Sequence, residues 1–433
     1  MPAFADHPLR YQLSNELHAR PSPTIPAPGT AVFLALKVPQ DAAARDRAAD
    51  RAHLVALLDR HGAPHPSPDS THHGATLGRH GLKWESHTEF TSYTAWSPGL
   101  PVRAFDPSVF DVFPLDWRDA APGARMTSIL FHIDRMPMVE GRPDEAALGA
   151  AFEGWFEAES LAVSSVLDGA AVVASDFRID PAGHVRMAVF VHPDTGARRL
   201  GRIVQRLCEI EVYKTMSMLG LARARRVSRE MGGLDRQLSD LIGTMAGDTP
   251  RAEVALGALM GVSAELERLE VASSFRFGAT RAYEALVHDR ISVLREVRVG
   301  GRQTLAEFMR RRFDPAMRTV RAADERLKVL SERAMRAGQL LSTQVEVARS
   351  AQNQALLASM DRRADTQLRL QRTVEGLSVV AISYYAVGLA GYVVEPLAAA
   401  AGWSKGATMA VLAPAVVLGV WALVRRIRQS LGH

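Results

Sequence analysis

Hydrophobic and polar positions alternate in short runs through the first half of the chain, at the spacing of strands separated by turns. Residues 31–38 predict a strand and 42–61 a helix ending at Gly62. The stretch 61–74, rich in Pro, His, Ser and Asp, predicts a loop, and 81–96 predicts one long strand or a bent pair. A further strand is expected at 126–133 and a helix at 146–159. Residues 161–167, 171–179 and 185–191 predict an antiparallel meander that turns near Asp168-Gly169 and 181–183. A helical period takes over at 201–221. An α+β domain over 1–221 is the layered arrangement that buries these apolar faces.

From residue 222 onward the pattern predicts no strand. Helices are expected at 223–245, 251–275 and 279–298, with breaks near 247–250 and at Gly300-Gly301, giving a helical domain over 222–314. Past Pro315, the residues Leu327, Leu330, Ala334, Ala337, Leu341, Val345, Ala348 and Ala355 recur mainly at three- and four-residue steps, and no Pro intervenes before Pro396. This predicts a long stalk helix over 315–376 that continues into the membrane segment. An Ala-rich coiled-coil seam allows close approach but offers less apolar area than a Leu zipper, so neighbouring helices are expected, and a homo-oligomer supplies them.

Two uncharged apolar runs, 377–394 and 407–424, close the pattern. At 1.5 Å per residue each covers most of a hydrocarbon core of roughly 30 Å, predicting a two-helix transmembrane hairpin with an external loop at 395–406 and a basic tail at 425–433. Arg362, Arg363, Arg369 and Arg372 precede the first span, and Arg425, Arg426 and Arg428 follow the second. That bias places both flanks in the cytoplasm, beside anionic lipid heads. Residues 1–31 lack the apolar run of a signal peptide, so the large N-terminal region is expected inside the cell, the whole being a multi-pass membrane protein.

Composition changes this picture little. The formal net charge of +5 is explained by the membrane flanks. The run Arg223, Arg225, Arg226 and Arg229 lacks the aromatic interleaving of a nucleic-acid surface, so no nucleic acid is expected. A single cysteine, Cys208, excludes an intrachain disulfide framework and is expected as a buried small hydrophobe.

Candidate chemistry falls in two places. One face of the first span carries Ser378, Ala381, Tyr385, Gly388, Tyr392 and Glu395. Tyr384 and Tyr385 fall near mid-membrane, where their hydroxyls need protein or a wet pathway, and Glu395 would form an acidic ring if several copies met on an axis. The bland reading of this face is helix association through Gly388 and Gly391. In the soluble part, Glu16, His18 and Arg20 are expected to dock on a strand whose alternation puts Glu85, His87 and Glu89 on one face. That face offers either ligands for a transition metal or a solvated hydrogen-bonded surface gripping Arg20. The local histidine excess (His61, His65, His72, His73 and His80) predicts a mobile loop with incidental metal affinity. No phosphate-binding Gly-rich loop, zincin pair or nucleophile elbow occurs, so no enzyme and no cofactor are expected, a divalent cation being left open.

The words Asn15-Glu16-Leu17-His18-Ala19-Arg20-Pro21, Trp84-Glu85-Ser86-His87-Thr88-Glu89-Phe90 and Gln205-Arg206-Leu207-Cys208-Glu209-Ile210-Glu211 resemble an uncharacterised bacterial family of membrane-anchored proteins, domain of unknown function 3422. The stretch 367–385, ending Ala381-Ile382-Ser383-Tyr384-Tyr385, resembles it too. This implies architecture and no reaction. The order of domains also resembles CorA-type magnesium channels, which are pentamers with a Gly-Met-Asn signature at the outer mouth. Here that region is Gly391-Tyr392-Val393-Val394-Glu395-Pro396, without the Asn. The expected function is a membrane-anchored interaction or scaffold protein holding a cytoplasmic protein partner. The alternatives are a CorA-like cation channel, with a pentamer implied by that resemblance, and a membrane-bound enzyme.

Overall fold

In the computed structural model, which describes residues 4, 6–16, 21–39, 45–244 and 249–431, the chain divides into two units. The first comprises Met1–Gly243 and Ala258–Ala337, the second Thr244–Gly257 and Gly338–His433.

The first unit begins with α1 (Arg10–Glu16), β1 (Gly29–Lys37) and α2 (Arg47–Asp59). Asp46 fixes the start of α2 by accepting hydrogen bonds from the backbone N–H groups of Ala48 and Ala49. Strands β2 (His72–Leu77), β3 (His80–Ser86) and β4 (Thr91–Pro98) form a meander, and a 3-10 turn (Pro107–Val112) leads to α3 (Leu115–Asp119). Then come β5 (Ala124–Arg135), a small ribbon β6 (Met138–Val139) and β7 (Arg142–Pro143), and α4 (Glu145–Trp155), capped by Asp144. Strands β8 (Ala162–Val166), β9 (Ala171–Ser175) and β10 (Val185–Val191) precede the long helices α5 (Ala197–Thr244) and α6 (Thr249–Leu294). The two-residue β11 (Val297–Arg298), α7 (Leu305–Arg312), α8 (Asp314–Ala400) and α9 (Lys405–Leu431) complete the chain.

One nine-stranded sheet runs β11-β8-β9-β10-β5-β1-β4-β3-β2. Its pairs are antiparallel except β5 with β10, the joint between an N-terminal and a C-terminal meander. Alternation gives the two faces different chemistry. Leu34, Tyr93 and Trp84 lie in register on one face and join a core with Leu54, Leu57 and Trp117. Phe33, Thr94 and Lys83 lie in register on the other, next to the row Ala35, Ser92 and Glu85. The polar half of that second face positions the candidate site.

Several expectations need correction. Residues 72–74, the end of the expected loop, open β2, because β3 supplies the ladder partners that a His-rich segment cannot signal by its own pattern. Of the two alternatives for 81–96, the pair is the one that forms, as β3 and β4. The boundary expected at 221 falls inside α5, since Ala222-Arg223-Ala224-Arg225-Arg226 are strong helix formers. Residues 251–294 form one helix, and β11 is a strand beyond residue 222.

The stalk seam also has a different partner. Leu327, Leu330, Ala334 and Ala337 are buried within the single chain. Their helix is tied to α5 by Arg326 and Arg333 on Asp235, and to α6 by Arg321 on Glu284. Ala355, by contrast, is exposed. In the second unit, α8 continues through the first apolar run to Ala400, so only residues 401–404 separate it from α9. Both helices are long and apolar enough to cross a membrane.

Candidate functional site

The polar half of the sheet is roofed by α5. From β3, Lys83 Nζ lies 3.1 Å from Glu85 Oε1, both side chains nearly buried. At the β3–β4 turn the His87 ring stacks on Phe90 at 4.2 Å, and Ser92 Oγ lies 3.4 Å from His87 Nε2. α5 contributes Gln205, Cys208 and Glu209, and these groups with Pro23 line an inner cavity of about 20 Å³. That volume suits one water-sized guest. The Cys208 thiol is pushed well above its ordinary pKa, by burial first and by Glu209 second, so it stays protonated and a poor nucleophile.

Gln205 and Glu209 also line an outer pocket of about 270 Å³ with Ser22, Arg202, Arg206 and Arg290. Gln205 Nε2 donates to Glu209 Oε1 at 2.9 Å, and Arg290 donates to the other Glu209 oxygen. The Arg206 guanidinium is pushed below its ordinary pKa by burial; Glu209 opposes that, and Arg202, Arg290 and Arg295 add to it. The chain preceding β1 is drawn tightly over α5. Ile25 N donates to the carbonyl of Ala197 at 3.2 Å, and a Cβ on Gly201 would stand 1.7 Å from the Pro23 oxygen. Only glycine fits there, which is how Pro23 comes to line the inner cavity and Ser22 the outer pocket. The words 84–90 and 205–211 thus meet at this site, and Pro21, the last residue of the word 15–21, immediately precedes Ser22 in the sequence.

Glu85, His87 and Glu89 do not share a strand face. The chain reverses at 87–90, where His87 N donates to the Phe90 carbonyl, and the strand period ends at Ser86. Glu89 turns instead to Arg276 of α6, beside Tyr283, whose hydroxyl pKa is raised by burial and then by the Glu89 charge. Among the described residues no group of three or more His, Cys, Asp or Glu is arranged to hold a metal ion. His18, Arg20 and the side chain of Glu16 lie outside the described residues.

The histidine-rich stretch is not a loop throughout. His72, His73 and His80 belong to the β2–β3 hairpin. His65 pairs with Asp59 at 2.6 Å, His73 Nε2 meets the Pro64 carbonyl at 2.8 Å, and His61 and His80 line a separate groove with Arg79 and Asp111.

In the second unit, α8 packs on α9 through Gly391, one of the two glycines that the helix-association reading named. Ser383 is buried, and a Cβ on Gly391 would come 2.7 Å from Met409 Cε. Ser378 and Ala381 are exposed, as are Tyr385 at 70% and Tyr392 at 80%, while Gly388 is partly covered. Glu395 does not stand free, because Lys405 Nζ lies 3.0 Å from its Oε1. Arg202, Arg206 and Arg290 were not singled out as site residues. The i, i+4 spacing of the first two was the available signal, but their meeting with Arg290 depends on how α5 and α6 fold together.

Fold and site define a class: a mixed α+β unit extended by long helices, carrying a buried polar pocket and ending in two apolar helices suited to anchoring it at a membrane. The chain belongs to the family described as "Protein of unknown function (DUF3422)", which matches residues 5–431. No curated protein and no solved structure matches it.

Proposed function

We propose that this protein is a membrane-anchored interaction or scaffold protein of a bacterial inner membrane, with its large N-terminal unit and its C-terminus in the cytoplasm. The two apolar helices pack on each other through Ser383, Gly391 and Met409 and leave their remaining apolar surface exposed, as lipid-facing helices require. Arg362, Arg363, Arg425 and Arg426 flank them on the side where anionic heads attract basic residues. A homo-oligomer is part of this proposal, with the exposed Tyr385 and Tyr392 face as the contact between copies.

The observation that favours an anchor over a CorA-like channel is the pairing of Glu395 with Lys405. An acidic ring attracts cations through unneutralised charge, and here each carboxylate has its own ammonium. Topology is tested by reporter fusions at residues 401–404 and at the C-terminus; an external C-terminus overturns the orientation. Function is tested in liposomes with protein of verified oligomeric mass. The anchor reading expects no magnesium or monovalent-cation flux, whereas specific flux altered by Glu395→Gln decides for a channel.

A further inference from the structure

The outer pocket over α5 carries more positive charge than the fold uses. Its lining holds three guanidiniums, of Arg202, Arg206 and Arg290, against the single carboxylate of Glu209. Arg290 is committed, since it donates to Glu209 and to Asp289. The neighbouring Arg295 donates to Asp168. Arg202 and Arg206 make no ion pair or hydrogen bond among the described residues. They stand one turn apart on the same face of α5, so both line the same space.

We infer that this pocket binds a phosphate-bearing anion through the forked N–H groups of Arg202 and Arg206. Two adjacent guanidiniums, one of them half-buried, repel each other at a cost that an anion between them removes. A carboxylate ligand satisfies one fork with its two oxygens. A phosphoryl group, with more oxygens and up to two charges, engages both forks at once and can accept from the Ser22 hydroxyl in the same lining. Glu209 does not oppose it as a free charge, because Arg290 and the Gln205 amide hold it. At about 270 Å³ the pocket suits a small phosphoester or a lipid headgroup. The inference concerns the first unit and does not rest on the membrane role proposed above.

The test is calorimetry on the full chain in nanodiscs of neutral phosphatidylcholine, with two probes: inorganic phosphate, and dihexanoyl phosphatidic acid as a soluble lipid headgroup. Saturable binding that weakens at least about tenfold in Arg206→Ala and in Arg202→Ala, as loss of a charged hydrogen bond implies, supports the site. Arg225→Ala, exposed on the same helix, should leave binding unchanged. Binding of phosphate identifies free phosphate as the ligand chemistry; binding of the short-chain lipid alone identifies a headgroup. Melting in phosphate-free buffer separates misfolding from lost affinity, and exposed Arg202 supplies a variant that removes no buried contact. No saturable binding of either probe, or full binding in both Arg variants, overturns the inference.

Discussion

The carboxylate of Glu89 and the guanidinium of Arg276 meet across 187 positions of sequence, joining the β3–β4 turn to α6 where Glu89 is only 2% exposed. Lys37 stands close enough that Arg276, after burial itself, helps to lower its pKa. Glu89 therefore pairs with Arg276 and partly offsets that cation's effect on Lys37, whose ammonium donates to the Val38 carbonyl.

Glu89→Ala should destabilise the first unit by up to about 3 kcal/mol, because it leaves the part-buried Arg276 without its counter-charge. Adding Arg276→Met should restore much of the loss. Urea titrations of the single and double variants check this, and strictly additive losses would show that the pair is not coupled.

Gly201→Ala should cost about 1–3 kcal/mol or more, since its Cβ would occupy the place of the Pro23 carbonyl. Gly232→Ala, in open space on the same helix, should stabilise by roughly 0.5–1 kcal/mol. Thermal melts of the two variants should move in opposite directions, and equal shifts would contradict the close approach of Pro23.

Leu327→Ala should cost about 2–5 kcal/mol as a buried large-to-small change. Because α5 and α6 of the same chain cover this seam, the loss should not depend on protein concentration. A melting point that tracks dilution would return the seam to an intermolecular role.

Acid should weaken the first unit. Burial is the main cause lowering the pKa values of His53, His132 and His184, the last to about 4. The folded state prefers the neutral rings, so stability is full above an unfolded value of about 6.5 and falls as pH drops from there toward 4. His184 alone contributes up to about 3 kcal/mol to that slope. Asp50 and Glu296, both raised by burial, act in the opposite sense, so the comparison that isolates the effect is His184→Gln against the parent. Chemical denaturation at about pH 7 and about pH 5 should show a shallower slope in the variant, and identical slopes would exclude His184 as a contributor.

The candidate site was legible only in fragments. Strand alternation would put Glu85, His87 and Glu89 on one face, yet a turn of four residues sends Glu89 to α6 and leaves the other two at the inner cavity. Strand period is reliable only while the strand lasts, and nothing local marks Ser86 as its last residue. The outer pocket was hidden for a different reason: Arg202 and Arg206 look like an ordinary solvated face until Arg290 and Ser22 are brought over them.

Features governed by local physics are legible in the order of residues alone. Uncharged runs long enough for a bilayer, the α+β character of the first half, the meander at β8–β10 and the burial of Cys208 all follow from composition and periodicity within a short window. Tertiary structure decided what depends on distant partners. It supplied the parallel joint of β5 with β10, the strand at His72–Leu77, the closure of the Ala-rich seam by α5 and α6, and the neutralisation of Glu395 by Lys405. Hydrogen-bond ladders, helix seams and ion pairs take their energy from groups brought near by the whole fold, so the same residue can face solvent, lipid or a buried counter-charge without any change in its local sequence.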